Sequence, residues 1–196
     1  MKKKYLLSGL LALFSPLALA HPGHIGTHGF ESGFIHPLTG IDHLSVMLGV
    51  GMLAALFGGQ ARYRLPLAFV AIMIVGGMMG VSGLVMPGVE IGIALSVVAM
   101  GILLCSGARL SEKATLALVM GFALFHGMAH GMEMPLDSQA MYYFSGFVLA
   151  TTMLHMFGIF LVQLAVSCMK NRVILNAVGF GIGMSMTVFG GSLLFS

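Results

Sequence analysis

Long apolar runs, separated by short polar connections, dominate the pattern of this chain. After residue 33 such runs recur six times, and each is long enough to cross a bilayer as an α-helix, which takes roughly 20 residues. They lie near 37–58, 65–86, 89–107, 114–134, 139–167 and 173–195, and the fifth is long enough to tilt. The pattern predicts an all-α polytopic membrane protein with six transmembrane helices.

Composition agrees with a lipid environment. Hydrophobic residues make up 58% of the 196 residues and charged residues only 8%, whereas about a quarter of the residues of a soluble protein are charged. The 28 glycines suit helices that pack closely within a membrane. The lipid bilayer is therefore an expected partner of the protein.

The first twenty residues have the pattern of a secretory signal peptide. Residues 2–4 are lysines, residues 5–14 form an apolar core, and residues 18–20 are a small-x-small cleavage site. We expect cleavage after Ala20, the alternative being an uncleaved first helix. Cleavage removes three of the nine basic residues and leaves them equal in number to the six acidic ones, so charge gives no reason to expect nucleic-acid binding. We predict a signal peptide at 1–20 and a single six-helix membrane domain at 21–196.

The basic residues of the mature chain indicate its orientation. All of them fall in alternate connections, and the connections near 87–90 and 135–139 contain no lysine or arginine. Positive residues favour the cytoplasmic side, so both mature termini are predicted to be external, or periplasmic. The residues concerned are Arg62, Arg64, Arg109, Lys113, Lys170 and Arg172.

The fourth apolar run ends in a set of potential metal ligands. His126, His130 and Glu133 are spaced i, i+4, i+7, which places them on one face of a helix. Imidazole and carboxylate together suit a divalent transition ion. The alternative is a pair of core histidines bonded to backbone carbonyls, and three nearby methionines (128, 132 and 134) leave a softer metal open.

A second polar cluster lies at the mouth of the first run, where Asp42 and His43 follow His36. Ionisable groups inside a membrane are costly and indicate function. The topology brings both clusters to the same depth, so we expect the first and fourth helices to close one site, with His36 at its lip. Asp42 can instead orient an imidazole. Pro37 and Gly40 are expected to interrupt the helix there.

Other polar residues are candidates on weaker grounds. Glu90, at the outer start of the third run, either recruits a cation or is exposed. His155, with Thr151 and Thr152 one turn above it, is either an inner stepping site or a structural hydrogen-bonding residue. The histidines at 21, 24 and 28 could capture metal outside the membrane.

Several functions are disfavoured by missing motifs. The pair of histidines at 126 and 130 encloses no glutamate, so no metalloprotease motif is present, and no phosphate-binding glycine-rich loop indicates ATP hydrolysis. We expect neither an enzyme nor catalytic residues, and uptake would depend on a gradient or a partner. A membrane haem protein with axial histidines is the alternative, although carboxylates beside haem would be costly to bury.

Two motifs resemble the signature of the HupE/UreJ family of nickel permeases. Residues 36–43 read His-Pro-Leu-x-Gly-x-Asp-His and are followed by Met47 and the Gly-Val-Gly step at 49–51, while residues 126–133 read His-Gly-x-Ala-His-Gly-x-Glu. Neither motif departs from the family pattern, and the similarity extends over the mature chain.

This resemblance implies a secondary transporter for Ni²⁺, in some members Co²⁺, in the inner membrane of a Gram-negative bacterium. The ion would be the transported substrate, with no permanently bound cofactor. The resemblance also implies an indirect link to maturation proteins of a nickel enzyme, a [NiFe] hydrogenase or a urease. It leaves a homo-oligomer open. Carried over by position, the metal-binding residues are His36, Asp42, His43, His130 and Glu133, with Glu90 and His126 as further candidates.

Overall fold

A computed structural model describes residues 27–84, 86–107, 110–136, 138–169 and 171–195. The predicted signal peptide, His21 and His24 lie outside the described residues, as do Arg109 and Lys170, and the side chain of His28 is likewise outside them. Predictions that rest on these residues remain predictions.

The described residues form seven helices and no strands. They are α1 (Thr27–Thr39), α2 (Ile41–Phe57), α3 (Ala61–Val81), α4 (Val89–Cys105), α5 (Glu112–Met132), α6 (Ala140–Cys168) and α7 (Arg172–Leu193). Each of the six predicted runs overlaps one of the helices from α2 to α7, so the all-α class is confirmed.

Only some of the described helices are long and apolar enough to span a membrane by themselves. The helices α3, α5, α6 and α7 are long and apolar enough to cross a bilayer, and α1 with α2 would make a fifth span if the bent pair counts as one. The helix α4 is apolar but has only 17 residues. The protein is thus multi-pass, and six crossings stay a prediction.

The junction between α1 and α2 is a sharp bend of 80°. Gly40 lies between the two helices with an extended ψ of 111°, so the helical ladder stops there. Its carbonyl still accepts a hydrogen bond from the Leu44 amide at 2.8 Å. The predicted interruption is confirmed at Gly40, whereas Pro37 lies inside α1, a helix that the polar sequence before residue 37 did not predict.

Glycines let pairs of helices approach to backbone contact. A Cβ on Gly76 of α3 would collide with the Leu124 carbonyl of α5, and one on Gly127 would collide with the Met73 carbonyl. The same holds between α2 and α6, where a Cβ on Gly51 would collide with the His155 carbonyl. Small residues at helix contacts are typical of membrane bundles, and here they bring α5 against α3 and α6 against α2.

The outer surface and the two ends of the bundle differ in chemistry. Large apolar side chains face outward, such as Leu67 (69% exposed) and Val188 (66% exposed), as expected where lipid is the solvent. Arg64 at the start of α3 pairs with Glu112 at the start of α5 at 3.4 Å. These two helices therefore begin at one end of the bundle, the opposite end from the histidines at the finish of α5.

Candidate metal site

Three histidines from three helices meet at the α1–α2 bend. His36 of α1, His43 of α2 and His130 of α5 each offer a ring nitrogen, and these nitrogens all lie within 4.8 Å of one another. Nitrogen ligands about 2.0–2.1 Å from a common ion would be roughly 3–4 Å apart. A small inward movement of the rings would therefore bring all three within bonding distance of one cation.

Asp42 holds the ring of His43. One carboxylate oxygen, Oδ1, accepts from the His43 amide at 2.8 Å and lies 3.0 Å from ring nitrogen Nδ1. The carboxylate can only accept, so Nδ1 carries the proton and Nε2 presents its lone pair. That Nε2 is buried and has no hydrogen-bond partner among the described residues. Histidine metal ligands are commonly oriented by a carboxylate in this way.

Glu133 and His36 form a second pair of carboxylate and imidazole. The Glu133 side chain follows the last residue of α5, and its Oε2 lies 2.8 Å from His36 Nε2. Both side chains reach the surface, with 48% of Glu133 and 31% of His36 exposed. This pair is therefore the accessible edge of a cluster whose other rings are buried.

His126 extends the cluster inward and is held by a serine. Its ring centroid lies 4.7 Å from that of His43, and its Nε2 lies 2.8 Å from the hydroxyl of Ser96 in α4. Ser96 donates its single proton to the Ile93 carbonyl at 2.6 Å, so it must accept from His126 Nε2. The lone pair of His126 is then on Nδ1, which is buried and has no described hydrogen-bond partner.

His130 has the least satisfied ring in the cluster. It is fully buried, it stacks on Phe147 at 4.9 Å, and its centroid lies 4.8 Å from His36 and 4.7 Å from His43. Neither of its ring nitrogens has a hydrogen-bond partner among the described residues. Buried polar groups are rarely left unpaired because this costs free energy. A cation bound through the nitrogen that carries the lone pair would remove the part of that cost that belongs to this nitrogen.

The predicted site residues divide into two groups. The described structure brings together His36, Asp42, His43, His126, His130 and Glu133. Glu90 is exposed at the start of α4 and makes no hydrogen bond or ion pair with another described residue, so its place in the site stays a prediction. His36 was expected at the lip of the site, and in the structure its ring also contacts the buried rings of His43 and His130 directly.

Two contributors were missed from the sequence. Ser96 is a lone hydroxyl in an apolar helix, and that isolation was a usable signal. Phe147 had none, because it is one of many apolar residues in α6 and only packing places it against His130.

Comparisons with known proteins identify the family of the chain. A sequence model described as HupE / UreJ protein matches residues 9–193. The chain belongs to the HupE/UreJ family. One curated relative, Protein HupE of Rhizobium leguminosarum bv. viciae, is 41% identical over 167 residues, which cover 84% of this chain and 86% of the relative. No solved structure matches the chain.

Membership of the HupE/UreJ family confirms the resemblance drawn from the two motifs. It is a family of transporter and accessory proteins and not a known class of enzyme. The haem alternative gains no support, since neither match is to a haem protein.

Proposed function

We propose that this HupE/UreJ protein is a secondary permease that imports Ni²⁺, or Co²⁺, across the inner membrane of a Gram-negative bacterium. After removal of a signal peptide at 1–20, the single domain at 21–196 would cross the membrane six times with both termini in the periplasm. The imported ion would supply maturation of a nickel enzyme, a [NiFe] hydrogenase or a urease.

The observation that supports this proposal is the set of unpaired imidazole nitrogens. The buried ring of His43 contacts the buried rings of His126 and His130, and each of the three has at least one ring nitrogen without a described hydrogen-bond partner. A purely structural histidine would pair its nitrogens with backbone or side-chain groups. Neutral imidazoles with carboxylate support form a typical site for a divalent transition ion.

The geometry suggests an order of events for the ion. Glu133 and His36 are the exposed members of the cluster, so an arriving cation meets them first, with Glu90 as a further external carboxylate. The cation then exchanges water for the buried nitrogens of His43 and His130, with His126 beyond them. Mixed imidazole and carboxylate ligation binds less tightly than thiolates, which permits release inward when the bundle rearranges.

Uptake of radioactive nickel at sub-micromolar concentration tests the proposal. We expect cells carrying His43→Ala or Glu133→Ala to lose most uptake, because each change removes a ligand or its entrance partner. Glu112→Ala is the matched control, since this carboxylate pairs with Arg64 at the other end of the bundle, and it should retain uptake. Wild-type rates in both site variants would refute the proposal.

Substrate and energy source require a purified system. Proteoliposomes that contain the purified protein should take up Ni²⁺, and adding Co²⁺, Zn²⁺ or Cu⁺ as competitors would rank these ions by how strongly each inhibits that uptake. Comparing rates with and without a proton gradient would decide whether transport is driven by it.

A further inference from the structure

A second group of potential ligands lies deeper in the bundle. His155 and Thr151 of α6, together with Met47 of α2 and Met73 of α3, form a buried cluster of one imidazole, one hydroxyl and two thioethers. None of them belongs to the metal site described above.

The ring of His155 has a fixed tautomer. Its Nδ1 lies 2.7 Å from the Met47 carbonyl, which can only accept, so Nδ1 carries the proton. The lone pair is then on Nε2, which is buried and has no hydrogen-bond partner among the described residues. The whole residue is 1% exposed. A structural role explains the bond of Nδ1 but leaves Nε2 without a purpose.

Thioethers supply the other potential ligands of this cluster. The Thr151 hydroxyl donates to the sulfur of Met47 at 3.3 Å and approaches the sulfur of Met73 at 3.8 Å. Thr151 and His155 are four residues apart in one helix and therefore share a face. Sulfur is a weak hydrogen-bond acceptor, so both thioethers could exchange this contact for a metal. Imidazole suits nickel, and thioether is a softer ligand.

The position of this cluster connects it to the outer histidines. Met47 follows His43 by four residues, which is about 6 Å along a helix at 1.5 Å per residue. The ring of Phe69 touches both levels, with its centroid 5.9 Å from His126 and 5.1 Å from His155. The two groups of ligands are thus consecutive levels of the bundle with one aromatic ring between them.

We propose that His155 Nε2, the thioethers of Met47 and Met73 and the Thr151 hydroxyl form a second, softer binding site for the transported divalent cation. This inference rests on the proposed function, because it assigns the inner site to the same ion. An ion leaving the outer histidines would be received here after passing Phe69.

Nickel binding to the purified full-length chain in detergent tests the inner site. Equilibrium dialysis with ⁶³Ni²⁺ should give two ions per chain in the wild type and one in His155→Asn. Asparagine places an amide N–H near the position of Nδ1, so it retains the bond to the Met47 carbonyl and removes only Nε2. One ion in the wild type, or two in His155→Asn, would overturn the inference.

The thioethers are tested by X-ray absorption of the nickel-loaded protein. A sulfur shell around nickel should be present in the wild type and absent when Met47→Leu and Met73→Leu are combined. These substitutions nearly conserve volume and should fold. Met100→Leu, at another buried methionine, is the matched control and should keep the sulfur shell. A sulfur shell that survives the double substitution, or is missing from the wild type, would refute the assignment.

The two proposals can fail separately. In the outer-site variant His43→Ala, dialysis should lose one ion and retain the sulfur-containing one. If His43→Ala leaves both ions bound, the outer-site assignment fails. If instead His155→Asn changes nothing while His43→Ala removes the only ion, the inner site alone is refuted.

Discussion

Replacing Ser96 with alanine tests whether the orientation of His126 matters for metal binding. In the structure the Ser96 hydroxyl accepts from His126 Nε2 at 2.8 Å, and both residues are fully buried. Alanine leaves that N–H without a partner at a depth where water does not replace it. An unsatisfied buried donor costs about 1–3 kcal/mol.

In the metal-free variant the His126 ring can escape this cost by turning or by exchanging its tautomer, but it cannot do so while an ion holds Nδ1, so the cost falls on the bound state and appears as a loss of affinity. Each 1.4 kcal/mol is about a factor of ten, so the Kd for Ni²⁺ should rise by roughly fivefold to somewhat over a hundredfold if the ion is bound through Nδ1 of the oriented ring. We would measure this Kd by equilibrium dialysis in detergent, together with the midpoint of thermal unfolding without metal.

The control is Ser145→Ala in α6, where the hydroxyl is exposed and donates only to the Tyr142 carbonyl. It should leave both the Kd and the unfolding midpoint nearly unchanged. If Ser96→Ala lowers the unfolding midpoint but leaves the Kd at the wild-type value, then His126 is a structural residue and the reasoning is refuted.

Three further predictions follow from the packing and the charges. Asp42→Asn keeps an acceptor for the His43 ring but loses the negative charge. Such changes to residues that hydrogen-bond a metal-bound histidine typically cost 10–100-fold in metal affinity, so an unchanged Kd for Ni²⁺ by dialysis would contradict the role given to Asp42. Glu133→Gln should raise the KM for ⁶³Ni²⁺ uptake by about tenfold as an entrance carboxylate, whereas Glu112→Gln should not, and equal values would contradict this. Gly51→Ala should destabilise the bundle by about 1–3 kcal/mol, because the added methyl group collides with a backbone carbonyl. The control Gly121→Ala meets nothing within 4 Å and should be neutral or gain up to about 1 kcal/mol from helix propensity. Equal denaturation midpoints for the two variants would show that the close helix contact at Gly51 does not determine stability.

Hydrophobicity was sufficient to locate the helices from α2 to α7, because a segment exposed to lipid must be apolar nearly all round. The same signal failed for α1, where His36 and the polar residues before it mask a helix that is stabilised by packing on α6. Gly146 of α6 illustrates this, since a Cβ there would collide with the Phe30 carbonyl.

Spacing along one helix was also sufficient to group His126 with His130. It could not identify Ser96 as the partner of His126, because that contact joins residues 30 positions apart. Spacing also could not show that His155 Nδ1 is hydrogen-bonded to the backbone carbonyl of Met47, a residue 108 positions away in the sequence. Such contacts depend on which helices are neighbours, and that is decided by where small residues permit backbones to meet.

The bend at Gly40 also determines what a bound cation would do to the structure. His36 is the contribution of α1 to the cluster, and its ring contacts His130 of α5. A cation shared by these two histidines would be a cross-link between a short peripheral helix and the centre of the bundle. Binding of nickel would then slow amide hydrogen exchange throughout α1, although this helix contains only one of the proposed ligands.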